Sequence, residues 1–215
     1  MTDCEIFSHI DHTLLKMTAS WEDVENLCAE AIRFKTASVC VPPSYVRRIH
    51  DAYTDKVNIC TVIGFPLGYS VASVKAFETE QALADGASEI DMVINIGDVK
   101  NGNFNNVLDE IKIIKTQCGQ KILKVIVETC YLTDAEKICL CGIVTEAGAD
   151  YIKTSTGFGT AGAAIADIEL FKKHIGPNVK IKAAGGIKTR EDMEAYINAG
   201  ADRIGASSAV KVMAD

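Results

Sequence analysis

At 215 residues the chain is long enough to bury a substantial core as one domain, and it is read as a single domain over residues 1–215. Its 48% hydrophobic and 24% charged residues are those of an ordinary soluble globular protein. A net charge of −7 argues against nucleic acid or an anionic membrane surface as partner, since both call for a basic face.

Eight cysteines (Cys4, Cys28, Cys40, Cys60, Cys118, Cys130, Cys139 and Cys141) form no CxxC pair and no Cys/His zinc spacing. No signal peptide and no apolar run near ~20 residues is recognisable. Buried reduced thiols in a cytoplasmic protein are therefore expected, with no metal.

Apolar, β-branched runs predict strands at Ile10–Thr13, Ala37–Val41, Val57–Gly64, Glu89–Asn95, Ile122–Glu128, Tyr151–Lys153, Val179–Ala183 and Arg203–Gly205. Helical periodicity fills the gaps. Trp21–Phe34 sets Val24, Leu27, Cys28 and Ile32 on one face, and Val107–Lys115 does the same with Leu108, Ile111 and Ile114. A weak repeat supports the order of elements: Gly86, Gly148 and Gly200 each sit between a helix end and an apolar strand, where a C′ glycine is expected. Eight strands, each followed by a helical stretch, predict a TIM (β/α)8 barrel in the α/β class. A doubly wound open sheet is the alternative, weakened because the glycine-rich loops come late rather than after the first strand.

Barrel strands alternate between interior and helix-facing residues. With Ile90, Met92 and Ile94 toward the helices, Asp91, Val93 and Asn95 point inward. Lys153 shares a face with Tyr151, and Lys182 opposes Ile181 and Ala183. Alternation thus gathers Asp91, Lys153 and Lys182 inside one barrel, with the two lysines on neighbouring strands. A lysine attacks carbonyls once it loses its proton, and a second ammonium nearby favours that loss. Lys153 is the expected Schiff-base former, Lys182 its tuning neighbour, and Asp91 an acid/base acting directly or through water. A structural ion-pair cluster would place the same charges together.

The loops Ala183-Ala184-Gly185-Gly186-Ile187 and Gly205-Ala206-Ser207-Ser208-Ala209 follow strands seven and eight. Glycines admit an anion to the backbone, and a helix beginning near Thr189 would add its dipole, so Gly185, Gly186, Ser207 and Ser208 are expected to hold a phosphate. Thr156 lies in the polar loop after Lys153. Asp11, in Asp11-His12-Thr13, ends strand one and Cys40 ends strand two, where a ligand contact or a structural role fits each. Glu128 either balances interior lysines or accepts a structural hydrogen bond, and Gly64–Gly68 is a turn above strand three that shapes the pocket or merely closes it.

Several ordered stretches resemble the deoxyribose-phosphate aldolases: Ile10–Lys16, Val39-Cys40-Val41, Gly64–Gly68, Glu89–Asn95, Lys124–Thr129, Tyr151–Gly157 and Lys182–Ile187. The resemblance covers nearly the whole chain. It implies a TIM barrel and reversible cleavage of 2-deoxy-D-ribose 5-phosphate to D-glyceraldehyde 3-phosphate and acetaldehyde, in deoxyribonucleotide catabolism. It also implies a Schiff base on Lys153, proton transfer by Asp91 and Lys182, and phosphate held by the Gly-Gly and Ser-Ser loops. Substrate contacts from Thr156, Cys40 and Asp11 are expected, with no cofactor and no metal. The expected partners are the phosphosugar and acetaldehyde, with homo-oligomerisation, dimer or tetramer, left open. Ala184 stands where many members have serine, and the longer tail ending in tyrosine is not matched, so tail-assisted proton abstraction is not expected. A phosphosugar isomerase or synthase on the same barrel, and a non-catalytic phosphosugar-binding barrel, are the competing readings.

Overall fold

A computed structural model describes residues 1–213; the last two residues of the expected 1–215 domain, Ala214 and Asp215, lie outside the described residues. Eight parallel strands close on themselves in sequence order: β1 (Ile10–Thr13), β2 (Ser38–Val41), β3 (Ile59–Ile63), β4 (Glu89–Val93), β5 (Ile122–Ile126), β6 (Tyr151–Lys153), β7 (Lys180–Ala184) and β8 (Arg203–Ala206). Pairing of β8 with β1 completes the barrel, with Asp11 opposite Gly205. The open-sheet alternative is excluded by that closure.

The helices are α1 (Asp3–Ser8), α2 (Trp21–Phe34), α3 (Val46–Tyr53), α4 (Ala72–Ala84), α5 (Ile96–Lys100), α6 (Phe104–Cys118), α7 (Asp134–Glu146), α8 (Ile165–His174), α9 (Arg190–Ala199) and α10 (Ala209–Met213). Their starts are written locally. Ser20, Thr133 and Thr189 each cap a helix and are capped back by Asp23, Glu136 and Asp192, satisfying orphan backbone donors at both ends of each box. On α2 the spacing Val24, Leu27, Cys28, Ala31 turns one stripe to the core. Ile32, expected on that stripe, is 40% exposed: one position past Ala31, it is rotated about 100° off the buried face. On α6, Val107, Ile111 and Ile114 are buried and Leu108 packs at their edge.

Period-two alternation divides each strand between two environments. Val39, Ile90, Met92, Leu123, Val125, Ile152, Ile181, Ala183 and Ile204 join the apolar layer under the helices. The inward positions carry Asp11, Cys40, Cys60, Asp91, Lys124, Lys153 and Lys182, all buried. Burial of each large aliphatic side chain is worth about 1.5–3 kcal/mol, so the layer between sheet and helices carries the stability and leaves the interior free for polar groups. Asn95 departs from the expectation. The strand ends at Val93, and Asn95 instead caps α5, accepting from the Gly97 N–H at 3.1 Å. Gly86, Gly148 and Gly200 all take positive φ, as the repeat predicts.

Candidate active site

The three interior residues singled out by alternation meet at one atom. Lys153 Nζ and Lys182 Nζ each donate to Asp91 Oδ2 at 2.7 Å. Strand register explains the meeting: Lys153 is opposite Lys182 across β6–β7, and Asp91 is opposite Lys124 across β4–β5.

The cluster is larger than alternation at those three strands suggested. Lys124 Nζ lies 2.5 Å from Glu89, 3.0 Å from Asp91 Oδ1 and 3.5 Å from Asp11. Asp11 also pairs with Lys182 at 2.5 Å and with the Arg203 guanidinium, which reaches Glu89 at 3.3 Å. The same alternation, applied to β5 and β8, marks Lys124 and Arg203 as inward and would have found both.

Three carboxylates (Asp11, Glu89, Asp91) thus face four cations (Lys124, Lys153, Lys182, Arg203) in a water-poor interior. Burial alone would raise the Asp91 carboxyl, but the ammonium groups of Lys124, Lys153 and Lys182 outweigh it and hold it well below the usual range. Asp11 is likewise held down against burial by Lys124, Lys182 and Arg203. Burial works against the Lys182 ammonium, yet Asp11 and Asp91 push its pKa above the ordinary value, and Lys124 is raised in the same way by Asp11, Asp91 and Glu89. Lys153 differs in its company: among the described residues its one carboxylate oxygen is shared with Lys182, and of the interior cations it alone lines the open cavity.

That cavity, about 720 Å³, opens at the carboxyl ends of the strands. Lys153, Thr156, Gly185, Gly186, Ser207 and Ser208 all line it, so the expected phosphate loops and the expected nucleophile share one space. Lys188 and Lys211 stand at its wall as well, two cations that the sequence reading did not single out. Gly185 and Gly186 adopt φ of 83° and 78°, turning the chain through two left-handed residues. The N-terminus of α9, expected to lend its dipole, is already occupied: Asp192 accepts from the backbone N–H groups of Lys188 and Thr189, both at 3.0 Å.

Asp11 and Cys40, expected to touch the ligand, are fully buried and lie outside the cavity wall. Asp11 holds Lys182 from below. Cys40 is opposite Cys60 across β2–β3, and Cys60 Sγ donates to Asp91 Oδ1 at 3.1 Å. Glu128 takes the structural option: its carboxylate accepts from the Thr156 N–H at 3.1 Å and from the Thr156 hydroxyl, fixing the loop after Lys153. The Gly64–Gly68 loop does shape the mouth. Phe65 and Pro66 line a second, apolar cavity of about 470 Å³ with Leu15, Val62 and Phe158, on the side away from the glycine loops.

Cys40, Cys60 and Asp91 place donor atoms within 4.8 Å of one another, as do Asp11, Cys60 and Glu89. The surrounding ammonium groups already bind those carboxylates and oppose any further cation. Among the described residues, no helix is long and apolar enough to cross a membrane.

Comparison with known proteins agrees with this fold. Residues 6–211 match the family model described as DeoC/LacD family aldolase. The chain is 62% identical to a deoxyribose-phosphate aldolase of Clostridium botulinum, over 99% of this chain and 96% of the relative, and 55% identical to one of Clostridioides difficile, over 97% and 95%. Among solved structures, the tetrameric deoxyribose-phosphate aldolase of Aeropyrum pernix superposes with a TM-score of 0.89 at 35% identity, covering 98% of this chain and 90% of that one. A closed barrel with a lysine–carboxylate cluster under a glycine-lined cavity, joined to family matches of this extent, leads to one conclusion: the chain is an enzyme of the lyase class and belongs to the DeoC/LacD aldolase family.

Proposed function

We propose that the protein reversibly cleaves 2-deoxy-D-ribose 5-phosphate to D-glyceraldehyde 3-phosphate and acetaldehyde through a Schiff base on Lys153, in the breakdown of deoxyribonucleotides in the cytoplasm. The observation that carries this reading is the lysine at the cavity floor whose only carboxylate contact among the described residues is an oxygen shared with a second lysine. Attack requires the free amine. Loss of one proton from the cluster leaves three cations against three carboxylates, and Lys153 is the cation at the surface of the cluster.

The Lys153 nitrogen adds to the open-chain aldehyde carbon, and water leaves to give an iminium. That cation replaces the ammonium opposite Asp91, so the carboxylate stabilises it without rearrangement. The C2–C3 bond electrons then move to the iminium, forming an enamine, while the C3 hydroxyl passes its proton to the water at the cavity floor and departs as the aldehyde of glyceraldehyde 3-phosphate. Protonation of the enamine at C2 and addition of water release acetaldehyde. Lys182, whose ammonium shares Asp91 Oδ2 with Lys153, is the proton donor nearest the reacting nitrogen, acting through a water at the cavity floor. Gly185, Gly186, Ser207 and Ser208 bind the phosphate, with Lys188 and Lys211 supplying charge.

Acetaldehyde release from 2-deoxy-D-ribose 5-phosphate tests the reading. The wild type is expected to turn over and Lys153→Met to lose on the order of a thousandfold in kcat while staying folded. An isomerised pentose phosphate in place of acetaldehyde would favour the isomerase reading instead.

A further inference from the structure

A fourth buried lysine lies outside the barrel and has no part in the chemistry above. Lys75, in the first turn of α4, is 0% exposed. Its ammonium donates to Glu110 on α6 at 2.6 Å, to the Gly68 carbonyl at 2.6 Å and to the Val93 carbonyl at 2.8 Å, so all three N–H groups are used. Glu110 in turn accepts from the Asn95 N–H at 3.3 Å. Burial pushes the Lys75 pKa down and the Glu110 pKa up, against their mutual attraction, so both groups bear a desolvation cost.

Stability does not call for such a pair. Buried ion pairs replaced by well-packed apolar residues are often neutral or stabilising, and their attested use is to specify geometry. The atoms fixed here are specific. Val93 is two residues beyond Asp91 on β4, and Gly68 closes the loop that carries Phe65 and Pro66. Phe65 packs edge-on against Phe158 with centroids 5.3 Å apart, and Phe158 follows the Thr154–Gly157 segment leading out of Lys153. One ammonium therefore ties the carboxyl end of the Asp91 strand to the loop that walls the apolar side of the mouth.

We propose that Lys75, held by Glu110, is a positioning residue for the Lys153 reaction, fixing the end of β4, and with it Asp91, together with the Gly64–Gly68 wall. The proposal rests on the Schiff-base reading of Lys153. It predicts an effect confined to the β3–β4 side of the mouth, because the pair's hydrogen bonds run to Gly68, Val93 and Asn95.

The test is Lys75→Met/Glu110→Leu, which replaces the pair by apolar groups and strands neither charge. The rate of borohydride trapping with acetaldehyde at Lys153 is expected to fall about tenfold, with inorganic phosphate affinity within about twofold of wild type. General loosening would move both readouts together. Glu110→Gln, which keeps an acceptor for Lys75, is expected to lose about threefold in trapping, and it decides the matter if the double variant does not fold. Wild-type trapping in the folded variant, or parallel loss of trapping and phosphate affinity, overturns the proposal. Absence of trapping in the wild type would instead overturn the Schiff-base reading on which it stands.

Discussion

Asp91 is the residue on which the site turns, since its two oxygens organise three lysines and the Cys60 thiol. Its ionisation ties chemistry to stability. Asp11 and Asp91 are held below the ordinary carboxylate pKa, so their contribution to folding is present in full above pH ~4 and is lost as pH falls through their folded values. Lys124 and Lys182 are raised, so theirs is present below pH ~10 and is lost as pH rises through the folded values. Denaturant midpoints are therefore expected to be level in the neutral range and to drop below pH ~4. In Asp91→Asn the overall stability is lower and the acid drop shallower, because one of the two titrating groups has gone. An acid limb as steep in Asp91→Asn as in the wild type would contradict this assignment.

At the level of elements, the β7–α9 loop lines the cavity, as its place after strand seven suggested, by a route the sequence did not show. The double glycine and its place after strand seven were legible, because both are local. That Asp192 would cap α9 was also written there, in Thr189-Arg190-Glu191-Asp192, but the reading credited the helix end to the ligand. The close approach of the β6–α8 segment was not legible at all: a Cβ on Gly162 would sit 2.1 Å from the Gly185 carbonyl, a contact between residues far apart in sequence. Gly185→Ala places a side chain at φ 83° and within 3.0 Å of Gly162 Cα. It should raise KM for the phosphosugar about tenfold or more, with Schiff-base trapping by acetaldehyde, which lacks a phosphate, nearly unchanged. Equal losses in both would move Gly185 from phosphate binding to general scaffolding.

For the whole molecule, alternation was the informative signal. A period of two, read on strands four, six and seven, brought Asp91, Lys153 and Lys182 to one interior, and closure of the barrel brings them to one oxygen. Lys124 on β5 and Arg203 on β8 follow from the same rule, since Leu123, Val125 and Ile204 turn to the helices and leave them inward. Lys75 is a different case. It sits on a helix amid Val74, Ala76 and Phe77, where nothing in the spacing distinguishes a buried ammonium from a solvated one; only the packing of α4 against α6 and the loop ends does so. Asp11 and Cys40 were recognisable as interior residues but not as residues beneath the cavity floor, since depth along a barrel axis depends on strand stagger. The two cavities divide the mouth accordingly, with the charged side toward β7 and β8 and the apolar side toward β2 and β3. The most direct measurement of the central claim is borohydride reduction in the presence of acetaldehyde, followed by peptide mass analysis. The structure predicts a single N-ethyl adduct on Lys153 and none on Lys75, Lys124 or Lys182; a folded protein left unmodified at Lys153, or modified first at another lysine, would contradict it.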